Sequence, residues 1–428
     1  MRALYTDLYQ LTMAAGYWMA GKQSELATFE LFVRRLPPNR DYLVVCGLEQ
    51  AIEYLTQLRF EEREIAYLRS LPQLSRAPEG FWDYLRAFRF RGDLFAVPEG
   101  TVMFPGEPLL TVRAPLIEAQ IPETYLLSTI GFQTVIASKA ARILASAAGR
   151  DVVEFGCRRA HAPEAGCLAG RASFLAGCAG TSNLEAGMRF AVPVFGTAAH
   201  SWILSFGDEK RSFQKLQELL GERTVQLIDT YDTLEGARNA VSVGRPLYAV
   251  RLDSGDLLSL SQDVRQILDA AGFHETKILA TNDLDEHTIA ALVQAGAPID
   301  IFGVGTSLAT SFDAPALSAV YKLVEIEAQG EVRYASKNST GKRTIPGWKQ
   351  VFRLADRDVV GVHDEVVPGG QALLRQVIAN GEAVVDEKNI RRIQSYARQQ
   401  IAQFGQPGRI VEQSDSLERL DRSCQFFQ

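Results

Sequence analysis

Two stretches of the sequence decide the expected fold: "LYAVRLDSGD", residues 247–256, and "KILATNDLD", residues 277–285. Each is a short apolar run that stops abruptly at polar residues, and a helical-looking segment lies between the two. A strand, a helix and the next strand within about 25–30 residues make one βα unit of a parallel sheet. Near-continuous apolar strands are typical of a parallel sheet that is covered on both faces.

The same pattern recurs along the middle of the chain. Seven consecutive units favour an α/β fold with an irregular barrel of about seven strands. An open, doubly wound sheet is the alternative fold. The five further runs are "VVEFG" (152–156), "FLAGCAGTS" (174–182), "AVPVFGT" (191–197), "VQLIDTYD" (225–232) and "IDIFGVGT" (299–306).

Both ends of the chain lack this recurring βα pattern. "AVYKLVEIEAQGEVRYASKNS" (319–339) predicts a hairpin around Gly330, and "FGQPGRIVEQSDSLERLDRS" (404–423) predicts a loosely held tail. We therefore expect the two ends to build one α+β domain beside the barrel. The predicted boundaries are 1–120 for its N-terminal part, 121–318 for the barrel with the active site, and 319–428 for its C-terminal part.

Composition limits the possible partners. The net charge of −6 gives no reason to expect a nucleic acid or a membrane. Five cysteines without a CxxC pair suit reduced thiols in the cytosol. Asp7 interrupts the apolar run that a signal peptide would need, and no apolar stretch approaches the ~18 residues of a membrane span. We expect a cytoplasmic protein that acts on small molecules.

Polar residues follow the apolar runs at the points where the runs stop. The carboxyl ends of strands in a β/α barrel form the face that holds the active site. Arginine suits phosphate or carboxylate, glycine lets backbone N–H groups approach phosphate oxygens, and carboxylates with water suit Mg²⁺. This rim therefore predicts a site for a phosphorylated substrate with magnesium. Its members are Arg158, Arg159, His161, Thr181, Ser182, Asn183, His200, Asp229, Asp232, Arg251, Asp253, Ser254, Asp256, Asn282, Asp283, Gly303, Gly305, Thr306 and Ser307.

Each of these features also has a structural interpretation. An acid after a strand is often a helix N-cap, which applies to Asp229 and Asp253. A glycine-rich turn can simply close a strand, and paired arginines are usually solvated. The concentration of polar groups at one predicted rim favours a functional site. A second basic cluster, within "SKNSTGKRTIPGWKQ", is best explained as an exposed loop, with a lid over anionic groups as the alternative; it contains Lys337, Lys342, Arg343 and Lys349.

Nine motifs follow one another along nearly the whole chain: "YTDLYQLTMAAGYW", "FPGEPLL", "ASKAARI", "EFGCRRAHAPEAG", "GTSNLEAG", "GTAAHSW", "RLDSGDL", "DIFGVGTSLATS" and "STGKRTIPGWKQVFR". In this order and spacing they resemble the nicotinate phosphoribosyltransferase family. One departure is Cys157, where the family more often has a different small residue, and we have no account of it.

The resemblance implies an activity. Nicotinate and phosphoribosyl pyrophosphate would give nicotinate mononucleotide and pyrophosphate, coupled to ATP hydrolysis, with Mg²⁺ as cofactor and NAD salvage as the destination. It implies an irregular α/β barrel with a domain from both chain ends, and a homodimer whose N-terminal segments complete each other's sites.

The resemblance also implies roles for residues. His200 matches the family's phosphohistidine, and Asp229 matches the partner that orients the imidazole. The pyridine ring would lie between Phe155 and Tyr9 of the partner subunit, with Arg251 facing the substrate carboxylate and Thr197 close by.

The phosphoribosyl and phosphate groups would lie against residues at several strand ends, and the metal ligands stay unassigned. These residues are Arg158, Asp253, Ser254, Asn282, Gly303, Gly305 and Thr306.

Ser182 is the expected selector of acid over amide. The related nicotinamide enzyme carries an aspartate at this position, which would repel the carboxylate of nicotinate. The structural alternative is that Ser182 only caps the next helix. Two other functions remain open: a nicotinamide phosphoribosyltransferase, and a barrel that binds sugar phosphates without catalysis. A nucleophilic histidine argues against the second, because binding needs none.

Overall fold

The computed structural model describes residues 3–336, 343–386 and 388–425. The chain forms two compact units: Met1–Val135 with Ala316–Gln428, and Ile136–Pro315. We call them the terminal unit and the central unit.

The described residues contain both helices and strands throughout. The strands are β1 (Leu26–Val33), β2 (Leu43–Val44), β3 (Asp93–Ala96), β4 (Val102–Met103), β5 (Pro108–Pro115), β6 (Asp151–Glu154), β7 (Gly180–Thr181), β8 (Val225–Leu227), β9 (Ala249–Leu252), β10 (Lys277–Thr281), β11 (Ile301–Val304), β12 (Ala319–Ala328), β13 (Glu331–Tyr334), β14 (Lys349–Arg353), β15 (Arg357–Val362), β16 (Gln371–Ala372), β17 (Arg375–Ala379), β18 (Glu382–Ala383) and β19 (Ile410–Gln413). The α-helices are α1 (Leu8–Met19), α2 (Leu48–Gln57), α3 (Glu62–Ser70), α4 (Glu79–Arg86), α5 (Leu116–Gln120), α6 (Glu123–Ser146), α7 (Pro163–Ala176), α8 (Leu184–Phe190), α9 (His200–Phe206), α10 (Glu209–Leu220), α11 (Thr233–Val243), α12 (Leu257–Ala270), α13 (Glu286–Gln294), α14 (Thr306–Ala309), α15 (Ile390–Phe404) and α16 (Asp415–Gln425).

The central unit is built on a parallel sheet of six strands. Their order is β7-β6-β11-β10-β9-β8. Leu279 in β10 stands between Arg251 in β9 and Ile301 in β11. The inner strands are largely buried because helices follow them along the chain, as the apolar runs predicted. A mixed α/β architecture with a parallel sheet is thus confirmed.

The expected seventh strand does not form. The run 191–197 makes one isolated parallel bridge, between Val194 and Thr181. Pro193 lies in this run and has no N–H to donate, although its carbonyl accepts a 3.0 Å hydrogen bond from Thr181. The run 174–182 was also too long, because its first three residues end α7. Among the described residues no pairing joins β7 to β8, so a closed barrel is not confirmed.

Acidic residues begin several helices of the central unit. The carboxylates of Asp232, Asp256 and Asp285 accept hydrogen bonds from the first turns of α11, α12 and α13. These three acids are the N-caps of their helices. The N-cap interpretation of Asp229 and Asp253 is therefore wrong, because they lie three residues before the caps of α11 and α12 and have other partners, described below.

The terminal unit contains a sheet of seven strands in the order β13-β12-β1-β5-β3-β17-β18. The hairpin of β12 and β13 around Gly330 is confirmed, and Gly330 has the positive φ of 81° that its turn needs. A four-stranded sheet, β16-β14-β15-β19, and the pair β2-β4 complete its β structure.

Two expectations about the C-terminal region are wrong. The predicted loose tail contains β19, which pairs with β15, and α16, whose Leu417 is fully buried. The basic cluster is not one exposed loop: Lys349 is buried in β14 and lies 2.8 Å from Glu30. Arg343 forms an ion pair with Asp421. Lys337 and Lys342 lie outside the described residues.

Across the described ranges, no helix combines the length and the apolar character needed to cross a membrane.

Candidate active site

A cavity of about 510 Å³ opens in the central unit, at the carboxyl ends of the sheet strands. This is the place where open parallel sheets usually bind ligands. Its lining is Phe155, Cys157, Arg158, Arg159, Ser182, Gly196, Thr197, Ala198, Ala199, Arg251, Asp253, Thr281, Asn282, Asp283, Gly303, Gly305 and Thr306. The cavity collects residues from the ends of five strands and from the run 191–197, whereas the seventh predicted run, 225–232, contributes none.

Arg251 is held at the wall of this cavity by several contacts. Its Nε donates to Thr281 Oγ1 at 3.0 Å, and its Nη1 donates to Thr197 Oγ1 at 3.1 Å. Its Nη2 lies 2.7 Å from Asp253 Oδ1. The side chain is 15 % exposed. A guanidinium fixed in this way is pre-organised to bind an anion.

Asp253 connects Arg251 with the histidine. Its Oδ1 also accepts a hydrogen bond from Thr281, and its Oδ2 lies 3.5 Å from His200 Nε2. Burial raises the pKa of Asp253, but the hydrogen bond from Thr281 and the charge of Arg251 outweigh it and hold the pKa below 3.8. Asp253 is therefore a stable negative charge beside His200.

His200 begins α9, directly after the cavity residue Ala199. Its Nδ1 lies 3.1 Å from Thr230 Oγ1, which leaves Nε2 facing Asp253. A separation of 3.5 Å is long for a hydrogen bond, so the contact with Asp253 is chiefly electrostatic. The arrangement suits an imidazole that becomes positively charged during a reaction.

The expected pairing of His200 with Asp229 is not formed. Asp229 Oδ2 instead accepts from the Asp253 N–H at 2.8 Å and from the Ser254 hydroxyl at 2.7 Å. The carboxylate is turned toward the next strand end because two donors there bind it. Asp229 thus supports the turn that carries Asp253, and Ser254 binds Asp229 and is not part of the cavity wall.

Phe155 and Ser182 lie on neighbouring strand ends. The Phe155 N–H donates to Val304 O at 2.8 Å, and the Ser182 N–H donates to Glu154 O at 2.9 Å. The cap of α8 is Asn183, whose Oδ1 accepts from Ala186 at 2.9 Å. The interpretation of Ser182 as the cap is therefore wrong, and its side chain is available to the cavity.

The end of β11 and the loop after β10 bring backbone close to the cavity. A Cβ at Gly303 would lie 2.6 Å from Thr281 Cγ2, so a side chain there would not fit. Asn282 and Asp283 have φ values of 107° and 47°, a conformation that costs non-glycine residues energy. Such strain is common at binding sites, where the surrounding structure enforces it.

Sequence reasoning missed Thr281. It is 4 % exposed and contacts both Arg251 and Asp253. Its position as the last residue of an apolar strand was the available signal. Several other predicted residues lie outside the cavity lining. They are Tyr9, which lies on α1 in the terminal unit and is 47 % exposed, and the rim members His161, Thr181, Asn183, His200, Asp232, Asp256 and Ser307. The role of Tyr9 in a partner's site stays a prediction.

The parallel sheet with a polar cavity at its strand ends defines an α/β protein of the small-molecule enzyme class. The N-terminal domain model of nicotinate phosphoribosyltransferase matches residues 4–131, and the model of that family matches residues 151–345. The chain belongs to the nicotinate phosphoribosyltransferase family, as its motifs predicted, and it is an enzyme of that family.

Individual proteins support this membership. A nicotinate phosphoribosyltransferase of Mycobacterium tuberculosis is 46 % identical over 411 residues, which cover 93 % of this chain and 87 % of the relative. One of Bacillus subtilis is 44 % identical over 381 residues, covering 85 % and 77 %. The crystal structure of the human nicotinic acid phosphoribosyltransferase matches with a TM-score of 0.83 at 28 % identity, over 98 % of this chain and 99 % of that one.

Proposed function

We propose that this enzyme transfers a phosphoribosyl group to nicotinate, and that it couples the transfer to ATP hydrolysis. The single observation that carries the proposal is the fixed guanidinium of Arg251 in a cavity that also has glycine-rich backbone. An arginine suits the carboxylate of nicotinate, and glycines suit the approach of phosphate oxygens. The product would be nicotinate mononucleotide, a precursor of NAD.

In this proposal the pyridine ring lies against Phe155 and its carboxylate faces Arg251. Thr197 helps to position the guanidinium, because its hydroxyl oxygen accepts a hydrogen bond from Nη1 of Arg251. The ring nitrogen already has a lone pair, so no base is required to activate it, and positioning dominates the rate.

The phosphoribosyl donor would occupy the part of the cavity lined by Arg158, Asn282, Gly303, Gly305 and Thr306. Among the described residues, no three histidine, cysteine, aspartate or glutamate side chains lie close enough together to hold a metal ion. An Mg²⁺ ion bound mainly by substrate phosphates and water fits this donor set. When bound, it would neutralise the departing pyrophosphate.

His200 is the proposed acceptor of the γ-phosphoryl group of ATP. An imidazole is a competent nucleophile, and Asp253 lies where it can stabilise the positive charge that develops. Asp229 would act indirectly, because it binds the Asp253 N–H and the Ser254 hydroxyl and so holds the turn that carries Asp253. Hydrolysis of the phosphohistidine would then drive the transfer forward.

We also propose a cytoplasmic homodimer, in which Tyr9 of the partner subunit covers the pyridine ring. Mixing inactive Tyr9→Ala and inactive Arg251→Ala subunits should restore activity, because one of the two mixed sites has both residues. Proven subunit exchange without recovery would contradict this arrangement. The bridge of Val194 to β7 supports the further proposal that the central strands form an irregular barrel.

A product assay tests the function. Purified protein would be incubated with phosphoribosyl pyrophosphate and either nicotinate or nicotinamide, with and without ATP. We expect nicotinate mononucleotide, formed faster with ATP. Product formed from nicotinamide but not from nicotinate would favour a nicotinamide phosphoribosyltransferase. Retained ligand binding without either product would favour a barrel that binds sugar phosphates without catalysis.

A further inference from the structure

Glu154 is a fully buried acid at the end of β6, directly before Phe155. Its carboxylate accepts hydrogen bonds from the Gly156 N–H and from the Thr181 hydroxyl, the second at 2.5 Å. Within the described ranges it forms no ion pair with a lysine, arginine or histidine. A buried carboxylate without a cation is costly, which calls for a physical reason.

The first contact of Glu154 fixes the turn that carries Phe155. Gly156 is packed so closely that a Cβ there would lie 2.6 Å from Gly305 O and 2.9 Å from Glu154 Oε1. The Gly156 N–H donates to the carboxylate of Glu154. The space around Gly156 leaves no room for a side chain. Phe155, one residue earlier, is bonded to Val304 and lines the cavity.

The second contact fixes the segment that carries Ser182. Thr181 Oγ1 donates to Glu154 and accepts from the Asn183 N–H at 3.0 Å. The backbone of Glu154 also accepts from the Ser182 N–H. Glu154 thus holds Thr181 and Ser182 directly, and it holds Asn183 only through the Thr181 hydroxyl.

This geometry needs two acceptor oxygens on one side chain. Burial raises the pKa of Glu154, whereas the hydrogen bonds from Thr181 and Gly156 act in the opposite direction. A glutamine offers one acceptor oxygen. If that oxygen accepts from the Gly156 N–H, the amide NH2 faces Thr181 and the hydroxyl hydrogen of Thr181 loses its acceptor; in the opposite orientation the Gly156 N–H loses its acceptor.

We propose that Glu154 is a positioning residue that sets Phe155 and Ser182 at the separation required for the flat acid substrate, and so determines nicotinate affinity and the preference for nicotinate over nicotinamide. The inference rests on the proposed function, because it takes these two residues as the ring and selectivity contacts. Glu154 is itself not part of the cavity lining.

The test is Glu154→Gln in the full-length protein, with KM measured for each substrate separately. We expect the KM for nicotinate to rise about tenfold, while the KM for phosphoribosyl pyrophosphate stays within about twofold. The nicotinate-to-nicotinamide ratio of kcat/KM should fall. If the KM for nicotinate and the KM for phosphoribosyl pyrophosphate rise together in the folded variant, the effect is not confined to the nicotinate contacts, and that result would overturn the proposal.

Thr181→Val supplies a second variant if Glu154→Gln does not fold. It removes one of the two contacts and should raise the KM for nicotinate by a smaller factor. The double variant should lose less than the sum of the two single variants, because both changes affect the hydrogen bond between Thr181 and Glu154. Unchanged KM for nicotinate in folded Thr181→Val would also overturn the proposal.

Glu209→Gln is the matched control. Glu209 is a buried acid of the same unit, with a 2.8 Å hydrogen bond from Asn239, and it lies on α10 outside the cavity. Its pKa is likewise raised by burial. We expect both KM values to stay unchanged. Wild-type protein without nicotinate activity would contradict the proposed function itself, whereas normal wild-type kinetics with an unaffected Glu154→Gln would contradict only this inference.

Discussion

Replacing Asp253 by asparagine should slow the phosphorylation of His200. The substitution keeps the shape of the side chain but removes the charge that lies 3.5 Å from Nε2. At that distance, a pair of unit charges gains about 5 kcal/mol at an effective dielectric of ~20 and about 1 kcal/mol in bulk water. The histidine and aspartate side chains are 41 % and 29 % exposed, so solvent screening reduces the gain. We expect a loss of about 1–3 kcal/mol, or roughly 5- to 150-fold in rate.

The assay is the initial rate of label transfer from γ-labelled ATP to the protein, without nicotinate. Label on histidine should be acid-labile and base-stable, and His200→Ala should carry none. Thermal unfolding of each variant would show that the fold is retained. Labelling of Asp253→Asn at the wild-type rate would refute the electrostatic argument.

Asp229→Asn is the informative comparison. Asp229 binds the N–H of Asp253 and the hydroxyl of Ser254, and asparagine keeps one acceptor oxygen for them. We therefore expect a smaller loss than for Asp253→Asn. The reverse order would restore Asp229 as the direct partner of His200, as the sequence alone suggested.

Three further predictions concern selectivity and stability. Ser182→Asp should lower the nicotinate-to-nicotinamide ratio of kcat/KM at least tenfold, because the new carboxylate and that of nicotinate, ~5 Å apart, repel each other by roughly 3 kcal/mol at a dielectric of ~20. A ratio within about twofold of wild type in folded protein would leave the discrimination to Arg251. Lys139→Met should lower the free energy of unfolding by about 3–5 kcal/mol, because buried Lys139 lies 2.6 Å from Glu286 and 2.8 Å from Asp313. Denaturant unfolding measures this change, and Lys139→Arg should lower the free energy of unfolding much less. Burial and nearby Asp358 hold the pKa of Glu107 well above 4.5, so the folded protein keeps a proton that the unfolded chain releases. The free energy of unfolding should therefore fall as the pH rises from about 4.5 through the folded pKa. Glu107→Gln should flatten that slope in unfolding measurements between pH 5 and 8, and an unchanged slope would contradict the assignment.

Much of the central sheet can be read from the sequence. β9, β10 and β11 are short apolar runs that end just before Asp253, Asn282 and Gly305, and parallel pairing brings their ends together. Apart from Thr281, the cavity residues on and directly after these three strands could therefore be named without coordinates. The run around Pro193 could not be judged in this way, because its apolar residues make it look like a strand while proline limits it to a single bridge.

The C-terminal tail shows a different limit. Its many charged residues suggest a solvated segment, yet Leu417 and Asp421 are buried on one side of α16. Pairing of β19 with β15 supplies the surface against which that helix packs, and such long-range pairing leaves no local signal in the sequence.

Residue partners within the site depend on three-dimensional direction. Asp229 and Asp253 both follow a strand, so position along the chain cannot decide which carboxylate faces His200. Thr281 and Glu154 looked like ordinary strand residues, although each connects two strand ends. The polar residues at the ends of the apolar runs predicted the kind of site, and the hydrogen bonds between strands determined its geometry.

The position of β1 has a consequence for the chain during its synthesis. β1 lies between β5 and β12, and Val33 pairs with Ala319. At ~5–20 residues per second, a ribosome needs roughly 15–60 s to make the segment between them. Throughout that time one edge of β1 has no native neighbour, and an unpaired strand edge is a template for aggregation. A truncated chain that ends before residue 319 should therefore depend on chaperones to stay in solution, even though the whole central unit has already been made.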